Sequence, residues 1–581
     1  MITAAEQYLV ELINRARLDP QGEANRYLGG DLDSNNSDAP FGTHSRQPLA
    51  VNEALNAAAA GHSQHMLAVD MFAHEGIGDG TATERMTGAG YPLQGSWGTG
   101  ENISVRGSSG TIDLDAAIDD HHEGLFQSIG HRRNILKDEF RELGVGQEHG
   151  DFSGFDDGLV YDSSMLTENF AYSGSRYFLT GVVYDDGDGD GFYSIGEGTS
   201  GREVTVAGIG STTSAAAGGY DLMVTPSSGF ITVTAASPVP AVVQVDVGTK
   251  NVKLDFIGGS MIAVSANAVL VSGIAEAHLL GTDDLDLTGS NAPERLVGNG
   301  GANGLRGNGG NDVLHGGAGG DLLDGGGGFD TASYEGSASA VAVDLRNGNA
   351  LGGDAAGDTI VSIENLIGSD YFDTLLGGYT ANVLRGGNGF DMLRGFAGDD
   401  QLFGGNGNDR LIGDLGNDKL FGEAGNDTLV GGGGADLING GGGTDTASYE
   451  GSASGVAVDL RNGNAFGGDA AGDTIAGIEN LTGSSYFDTL IGNGLNNTLR
   501  GENGFDTLRG FAGNDQLFGG NGNDQLFGDV GFDRLDGGSG NDRLSGGVNA
   551  DIFVFANGFG KDVVTDFEAL NNLEKIDLSA V

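Results

Sequence analysis

Apolar residues recur at helical spacing near the start of the chain. Thr3 and Glu6 form the S/T-x-x-E pattern of a capping box, and the apolar residues from Leu9 to Ala16 then fall on one face. Asp19 and the proline after it are expected to end this helix. A second apolar stripe predicts a helix over residues 53–69.

The pattern changes after residue 171. Short runs rich in Val, Thr, Phe and Tyr, such as YFLTGVVY and GFITVTAA, are separated by Gly and Ser. Such runs are typical of short antiparallel strands, so residues 172–258 are predicted to form a small β-sandwich. Residues 1–171 then form a separate first domain, and residues 259–289 a linker with the first rungs of the C-terminal region.

From about residue 287 a period of nine dominates. Leucines from Leu287 to Leu323 are nine apart, and aspartates repeat at the same spacing further along. A longer segment that starts with DTASYEGSAS at Asp330 recurs with few changes at Asp445, 115 residues later. Such periodicity predicts an array in which each rung buries its apolar face against its neighbours. We assign residues 290–551 to this array, with decorated rungs or loops at 335–370 and 450–485, and residues 552–581 to a closing segment.

Composition adds a strong charge constraint. The 581 residues include 110 Gly, no Cys, and a formal net charge of −54. This charge argues against nucleic acid as a partner, and dense carboxylates favour Ca²⁺ as the counter-ion. The chain contains no 18-residue apolar run, so no transmembrane segment is expected. The first residues lack the basic and apolar regions of a secretory leader, so no cleavable N-terminal signal peptide is expected.

The nonapeptides GGNGNDRLI at 404–412 and GGNGNDQLF at 519–527 follow the pattern G-G-x-G-x-D-x-L-x. If two nonapeptides make one coil, aspartates 18 residues apart stack along one side and supply oxygen ligands for Ca²⁺. This array resembles the RTX, or haemolysin-type, calcium-binding family, which implies a right-handed parallel β-roll. The alternative is a glycine-rich solenoid without metal. Asn303, Asn382 and Asn497 replace Asp in this register, so weak or empty sites are expected there. The predicted repeat ligands are Asp312, Asp321, Asp330, Asp391, Asp400, Asp409, Asp418, Asp427, Asp436, Asp506, Asp515, Asp524, Asp533 and Asp542.

A second calcium motif lies in the predicted β-sandwich. DGDGDGFYSIGE at 186–197 fits D-x-D-x-D-G-x5-E, in which acidic side chains and one backbone carbonyl surround the ion. The predicted ligands are Asp186, Asp188, Asp190, the carbonyl of Phe192, and Glu197. Because the flanks read as strands, the motif resembles the calcium loops of bacterial surface-protein β-sandwiches and not a helix–loop–helix EF-hand. An acidic turn without an ion is the alternative.

Six phrases in the first domain keep a characteristic order: LAVNEALNAAAAGHSQHM, FAHEGIGDG, ERMTGAGY, GENI, GHRRNIL and ELGVG. Together they resemble the CAP superfamily of cysteine-rich secretory, antigen 5 and pathogenesis-related 1 proteins. The resemblance implies an α-β-α sandwich with a cleft lined by two His and two acidic residues. These would be His74, Glu101 and His131, with Glu123 as the fourth in a stretch where the usual Trp is absent.

Two imidazoles and one or two carboxylates could hold Zn²⁺ or serve as general acid and base. The alternative is that they only hold the sandwich together. We interpret His62 as a core histidine on the second helix. His121 and His122 are expected to cap a helix or face solvent.

These observations indicate a secreted, calcium-loaded, multidomain protein. The RTX resemblance implies export through a type I secretion exporter and folding in external Ca²⁺; whether a secretion signal follows Val581 is left open. We expect the CAP-like domain to bind an extracellular ligand such as a lipid, a peptide or a surface component. The alternatives are a metal-dependent hydrolase, such as a peptidase, and a structural or adhesive matrix protein.

Overall fold

The structure, a computed structural model, describes residues 2–155, 157–226, 229–236, 240–567 and 574–580. Parts of the predicted closing segment, residues 568–573 and 581, lie outside these ranges. The chain divides into two compact units, Met1–Asp312 and Val313–Val581. In the described part of the chain, none of the helices combines the length and apolar character needed to cross a bilayer.

The first domain has six helices and four strands within its described residues. They are α1 (Ala4–Leu18), α2 (Pro20–Tyr27), β1 (Ala50–Val51), α3 (Glu53–Val69), α4 (Ala82–Gly88), β2 (Trp97–Ser108), α5 (Leu114–Gln127), α6 (Ile129–Ile135), β3 (Glu142–Phe152) and β4 (Tyr161–Ser173). The capping box is present at α1: Thr3 Oγ1 accepts the Glu6 backbone N–H and Glu6 accepts that of Thr3. Both predicted helices are therefore confirmed.

The sheet order is β1-β3-β4-β2, with only the β1–β3 pair parallel. One face packs against α1 and α5, where Leu166 and Phe170 of β4 enter the main core. The other face packs against α3. Gly144 and Gly146 of β3 permit this close approach, because a Cβ on either would lie 2.1 Å from the α3 backbone. Helices therefore cover both faces, as an α-β-α sandwich requires.

The strands after β4 form two sheets within the same unit. They are β5 (Tyr177–Tyr184), β6 (Glu203–Val206), β7 (Gly210–Thr213), β8 (Gly219–Val224), β9 (Phe230–Ala235), β10 (Ala241–Asp246), β11 (Val252–Ile257), β12 (Met261–Val264), β13 (Ala268–Ser272), β14 (Glu276–Leu279), β15 (Asp286–Thr288), β16 (Arg295–Val297) and β17 (Gly304–Arg306). One sheet runs β8-β5-β11-β12-β14-β16, and the other β7-β6-β9-β10-β13-β15-β17. Strands β12 to β15 lie in the predicted linker, and they continue the sheets of the sandwich.

The second unit is a parallel β-solenoid. Its first strands are β18 (Val313–His315), β19 (Leu322–Asp324), β20 (Thr331–Ser333), β21 (Ala342–Asp344), β22 (Asn349–Leu351), β23 (Thr359–Val361), β24 (Asn365–Ile367), β25 (Thr374–Leu376), β26 (Val383–Asn388), β27 (Met392–Ala397), β28 (Gln401–Asn406), β29 (Arg410–Leu415), β30 (Lys419–Gly425), β31 (Thr428–Gly433) and β32 (Leu437–Gly443). The later strands are β33 (Thr446–Ser448), β34 (Ala457–Asp459), β35 (Asn464–Phe466), β36 (Thr474–Ala476), β37 (Asn480–Thr482), β38 (Thr489–Ile491), β39 (Thr498–Arg500), β40 (Asn503–Gly504), β41 (Thr507–Ala512), β42 (Gln516–Gly522), β43 (Gln525–Val530), β44 (Arg534–Gly540), β45 (Arg543–Val548), β46 (Ile552–Ala556), β47 (Val563–Val564) and β48 (Lys575–Ala580).

Strands pair every 18 residues, so that Leu402 lies beside Leu420 and Leu411 beside Leu429, all fully buried. Two nonapeptides therefore make one coil, as predicted. Each insert adds an antiparallel hairpin, β21–β22 or β34–β35, followed by a short 3-10 helix. The inserts are thus decorated rungs.

Candidate functional sites

The aspartates of the repeats form stacked rows at the turns. The Oδ1 atom of each accepts the backbone N–H of the residue 18 positions earlier, as in Asp400 N–H to Asp418 Oδ1 at 2.7 Å and Asp418 N–H to Asp436 Oδ1 at 2.9 Å. The turn itself requires glycine: a Cβ on Gly407 would lie 1.4 Å from the carbonyl oxygen of Gly389. The rows predicted from the sequence are therefore present.

The second carboxylate oxygen of these aspartates, Oδ2, is the candidate calcium ligand. Among the described residues, the Oδ2 atoms of one set are buried and accept no hydrogen bond, although a buried carboxylate oxygen is costly to leave unpaired. Ca²⁺ prefers oxygen ligands of this kind, so the donor set fits a row of calcium ions. The set comprises Asp391, Asp400, Asp409, Asp418, Asp427, Asp436, Asp445, Asp506, Asp515, Asp524, Asp533, Asp542 and Asp551.

Asp445 and Asp551 belong to these rows although they were not among the predicted ligands. The predicted ligands Asp312, Asp321 and Asp330 are buried as well. Asp312 accepts the Glu294 N–H, and the N–H groups of Asp321 and Asp330 donate to Asp358 and Glu364 in the first insert. Their assignment as ligands stays a prediction.

Some turns in the array satisfy the same oxygen with protein donors. Asp358 Oδ2 accepts the buried hydroxyl of Tyr334 at 3.1 Å, and Asp473 Oδ2 accepts that of Tyr449 at 3.0 Å. Similarly, both oxygens of Asp373 accept hydrogen bonds from Ser369, an arrangement repeated at Ser484 and Asp488. Each insert therefore carries turns whose carboxylates are hydrogen-bonded by the protein, in contrast to the buried Oδ2 atoms of the set given above. The sequence did not reveal these caps.

The asparagines in the register are also satisfied by the protein. Asn382 donates from Nδ2 to the Glu364 carbonyl at 2.6 Å and accepts the Gly378 N–H at 2.6 Å. Asn497 donates to the Glu479 carbonyl at 2.7 Å and accepts the Asn493 N–H at 2.8 Å. These bonds agree with the expectation that such positions bind calcium weakly.

The loop at 186–197 is folded as a turn between strands. Asp186 accepts the N–H groups of Gly189 and Gly191, while the two oxygens of Glu197 accept those of Gly187 and Ser194. Asp186, Asp188 and Asp190 each offer a carboxylate oxygen within 4.8 Å of the others. Among the described residues, no other group of three or more His, Asp or Glu side chains meets this spacing. The loop is therefore the best-formed candidate for a single calcium ion.

Three of the four predicted cleft residues of the first domain lie in one region. His74 Nδ1 is 3.0 Å from Glu101 Oε1; the His74 side chain is 53% exposed and that of Glu101 only 4%. Burial lowers the pKa of His131. The charge of His74 lowers this pKa further, so the two imidazoles lie close enough to interact electrostatically. Glu123 instead accepts a hydrogen bond from Gln127 on its own helix. Among the described residues, no hydrogen bond or ion pair joins Glu123 to the other three.

Sequence reasoning missed a supporting group behind His74. His62 Nδ1 contacts Asp79 Oδ2 at 2.5 Å, and its Nε2 lies 3.8 Å from Glu101. Arg85 pairs with Glu101 and lies 3.2 Å from Asp79. Burial lowers the pKa of His62, which favours the neutral form of this imidazole. His62 is buried, as predicted, but it also contacts the site.

This arrangement does not fit a preformed zinc site. The Arg85 guanidinium already supplies a positive charge to both carboxylates, and a second cation there would be repelled. The imidazoles and carboxylates also fail to converge within the spacing that the 186–197 loop achieves. What the group offers is an exposed imidazole held by a buried, charged hydrogen-bond network, which suits hydrogen bonding to a polar ligand.

The prediction that His121 and His122 cap a helix or face solvent is wrong, because both are fully buried. His121 contacts the hydroxyls of Ser104 and Ser164 at 2.7 and 2.9 Å, and His122 pairs with Glu23 at 2.7 Å. These polar partners compensate the imidazoles for lost hydration. They lie far away in sequence, so the local pattern gave no sign of them.

Comparison with known proteins supports both resemblances. Residues 10–160 match the model of the Cysteine-rich secretory protein family, CAP. The RTX calcium-binding nonapeptide repeat matches residues 297–332, 362–393, 376–411, 412–447, 491–526, 518–553 and 527–560. Comparison with curated proteins found no match.

Among solved structures, the chain is similar to an extracellular protein containing a SCP domain from Bacillus anthracis str. Ames, with 27% identity. The match covers 22% of this chain and 34% of that one, so it spans about a third of that protein, and the TM-score is 0.16. From the two family matches and the fold, the chain joins a CAP domain to an array of RTX calcium-binding repeats.

Proposed function

We propose that this is a secreted protein whose repeats fold by binding Ca²⁺ outside the cell and carry a CAP domain that binds an extracellular ligand. The observation that carries the proposal is the set of buried Oδ2 atoms without hydrogen-bond partners. Two parallel rows of carboxylates repel one another unless a cation neutralises them. Metal binding and folding of the repeats are therefore coupled.

Export through a type I secretion exporter agrees with this coupling. A chain with net charge −54 resists collapse where calcium is scarce, and an unfolded chain can pass through a narrow channel. High external calcium then stabilises the folded repeats by mass action.

Substitution of one ligand in a row tests the calcium site. Asp418→Asn keeps an oxygen that can accept the Asp400 N–H but removes the charge. Asp399→Asn is the matched control, because Asp399 is exposed on a neighbouring turn. Native mass spectrometry should count fewer calcium ions in the Asp418 variant, and circular dichroism should show that its repeats need more calcium to fold. Equal ion counts and midpoints in both variants would contradict calcium binding by the rows.

For the CAP domain we propose a binding role centred on His74 and His131. The exposed imidazole of His74 rests on a buried network, an arrangement that orients a hydrogen-bonding group towards solvent. The sequence contains no G-x-S-x-G or H-E-x-x-H motif, and we therefore place binding ahead of catalysis. A hydrolase that uses His74, Glu101 and His131 is the alternative, and a matrix protein in which the cleft plays no part is the third candidate.

A ligand screen on the full chain in excess calcium separates these candidates. His74→Ala should lose binding to a captured lipid or peptide. His44→Ala should retain it, since His44 is equally exposed at 56% and lies 3.2 Å from a carboxylate elsewhere. Ligand turnover that is lost with Glu101→Gln would favour the hydrolase, and unchanged binding in the His74 variant would favour the matrix protein. A Zn²⁺ titration with His74→Ala/His131→Ala as reference tests the zinc alternative directly.

A further inference from the structure

The 186–197 loop carries two consecutive aromatic residues that point into different cores. Phe192 meets Tyr8 of α1 edge to face, with ring centroids 6.2 Å apart, and the Arg15 guanidinium lies 5.0 Å from its centroid. Phe192 and Ile195 both pack against the main core of the CAP domain. The loop is therefore a structural neighbour of helix α1.

Tyr193 belongs to the β-sandwich instead. Its ring lies edge to face with Tyr184 of β5 at 5.7 Å, in a cluster completed by Val182, Ile257 and Ala263. Its side chain is 1% exposed, and its hydroxyl has no hydrogen-bond partner among the described residues. Two adjacent residues of one loop thus hold the CAP domain and the sandwich together.

A buried ion network lies beneath this pair. Lys253 of β11 donates to Glu11 of α1 at 2.7 Å and to Asp255 at 2.5 Å, so a charged bond also joins the two cores. A cavity of about 110 Å³ is lined by these charged groups and by Phe192 and Tyr193. Because the cavity leaves this junction incompletely packed, a displacement of the aromatic pair would change its contacts with α1.

The position of the pair depends on the carboxylates before it. The Phe192 N–H donates to Asp190 Oδ1 at 2.7 Å, and Tyr184 donates its hydroxyl to the Gly191 carbonyl at 3.1 Å. Three carboxylates within 4.8 Å of one another repel without a cation and draw together around one. Ion binding therefore fixes the backbone directly before Phe192.

We propose that calcium in the 186–197 loop clamps the β-sandwich onto helix α1 and makes the stability of the CAP domain calcium-dependent, separately from the repeats. The inference rests on calcium binding by the 186–197 loop, which is the candidate for a single calcium ion described above. This stabilisation requires an ion that orders the loop. It also requires Phe192, because the contacts of Phe192 with α1 couple the ordered loop to that helix.

The experiment follows unfolding in urea by the fluorescence of Trp97, which is the only tryptophan and lies on β2 of the CAP domain. The full chain is compared with Asp188→Asn/Asp190→Asn, with Phe192→Ala, and with Asp427→Asn as a control in the repeats. Native mass spectrometry counts the ions bound to each. At calcium 100 times its Kd, the unfolding constant of the wild-type CAP domain should fall about 100-fold.

The expected result is that calcium shifts the Trp97 transition in the wild type and in the repeat variant. The shift should be lost in the loop variant together with one bound ion. Phe192→Ala should keep that ion but lose the shift. An Asp188/Asp190 variant that binds as many ions as the wild type would refute the calcium site. A Phe192 variant that keeps both ion and shift would refute the clamp alone. If Phe192→Ala fails to fold, Phe192→Leu provides the same comparison with a smaller change.

Discussion

Removing calcium while lowering the pH is the sharpest test of the carboxylate rows. Burial, with a further contribution from neighbouring carboxylates, raises the pKa of Asp400 and Asp418 to about 6 and that of Asp391 and Asp533 to about 7. Backbone N–H bonds to the same groups offset only part of this rise. In the absence of calcium, a proton is the other cation that can neutralise these oxygens.

The sign of the effect follows from linkage. A carboxyl group whose folded pKa lies above its unfolded value binds more protons in the folded state. Its folded form is therefore most stable below the unfolded value of 3.8, and that stability is lost as the pH rises through about 6 to 7. Each pKa unit corresponds to ~1.4 kcal/mol. For roughly ten such groups, each raised by about two units and discounted by half for water at the turns, the cost at neutral pH is on the order of 15 kcal/mol.

This cost equals or exceeds the whole stability of an ordinary domain, about 5–15 kcal/mol. In excess EGTA the repeats should therefore be unfolded at pH 7.5 and gain β-structure as the pH falls towards 5, followed by far-ultraviolet circular dichroism. The titration stops at a pH above the isoelectric point, which is about 4.1, because the chain precipitates more readily when its net charge approaches zero. With calcium present, the signal should persist at pH 7.5. Metal-free repeats that are equally folded at pH 7.5 and pH 5 would refute the reasoning.

Three further substitutions test other buried groups. Tyr449→Phe leaves Asp473 Oδ2 unpaired and should destabilise the repeats by about 1–3 kcal/mol in a calcium-dependent unfolding assay, whereas the exposed Tyr486→Phe should have little effect. Burial raises the pKa of Glu168 to about 7, so the wild type loses stability as the pH rises through that value. Glu168→Gln should therefore be the more stable protein at pH 8 by up to about 3 kcal/mol, and the two should converge near pH 5 in urea titrations followed by Trp97. Lys253→Met leaves two buried carboxylates without their cation and should cost about 3–5 kcal/mol in the same assay; a loss below about 1 kcal/mol would contradict the assigned ion network.

The sequence predicted the features that depend on short-range or periodic patterns. The capping box at Thr3 and Glu6 spans a single helical turn, and the 18-residue stacking of Asp400 on Asp418 repeats along the array. The cap on Asp358 was not predictable in this way, because Tyr334 reaches it only through the fold of the insert. The burial of His121 and His122 was not predictable for the same reason. A local pattern shows which face of a helix is apolar, but it does not show the distant polar partners that stabilise a buried imidazole.

The caps also determine how the array responds to calcium. A buried turn carboxylate needs a neutralising or hydrogen-bonding partner for its second oxygen. The structure provides a protein hydroxyl at the inserts, and a bound cation is the partner that we propose for the set of Oδ2 atoms without a hydrogen bond. In the second copy of the duplication, Tyr449 and Ser484 supply hydroxyls between the free-oxygen row that ends near Asp445 and the one that begins at Asp506. The part of the array after the first insert is therefore divided into two blocks. We expect both blocks to depend on calcium, and we expect the rung that joins them to need less metal. Because coupling between repeats passes only through adjacent rungs, this rung can fold first and template the blocks on either side. Calcium titrations should then show that cooperative folding is limited to one block at a time. Combining Ser484→Ala with Tyr449→Phe should raise the calcium concentration at the folding midpoint of both blocks.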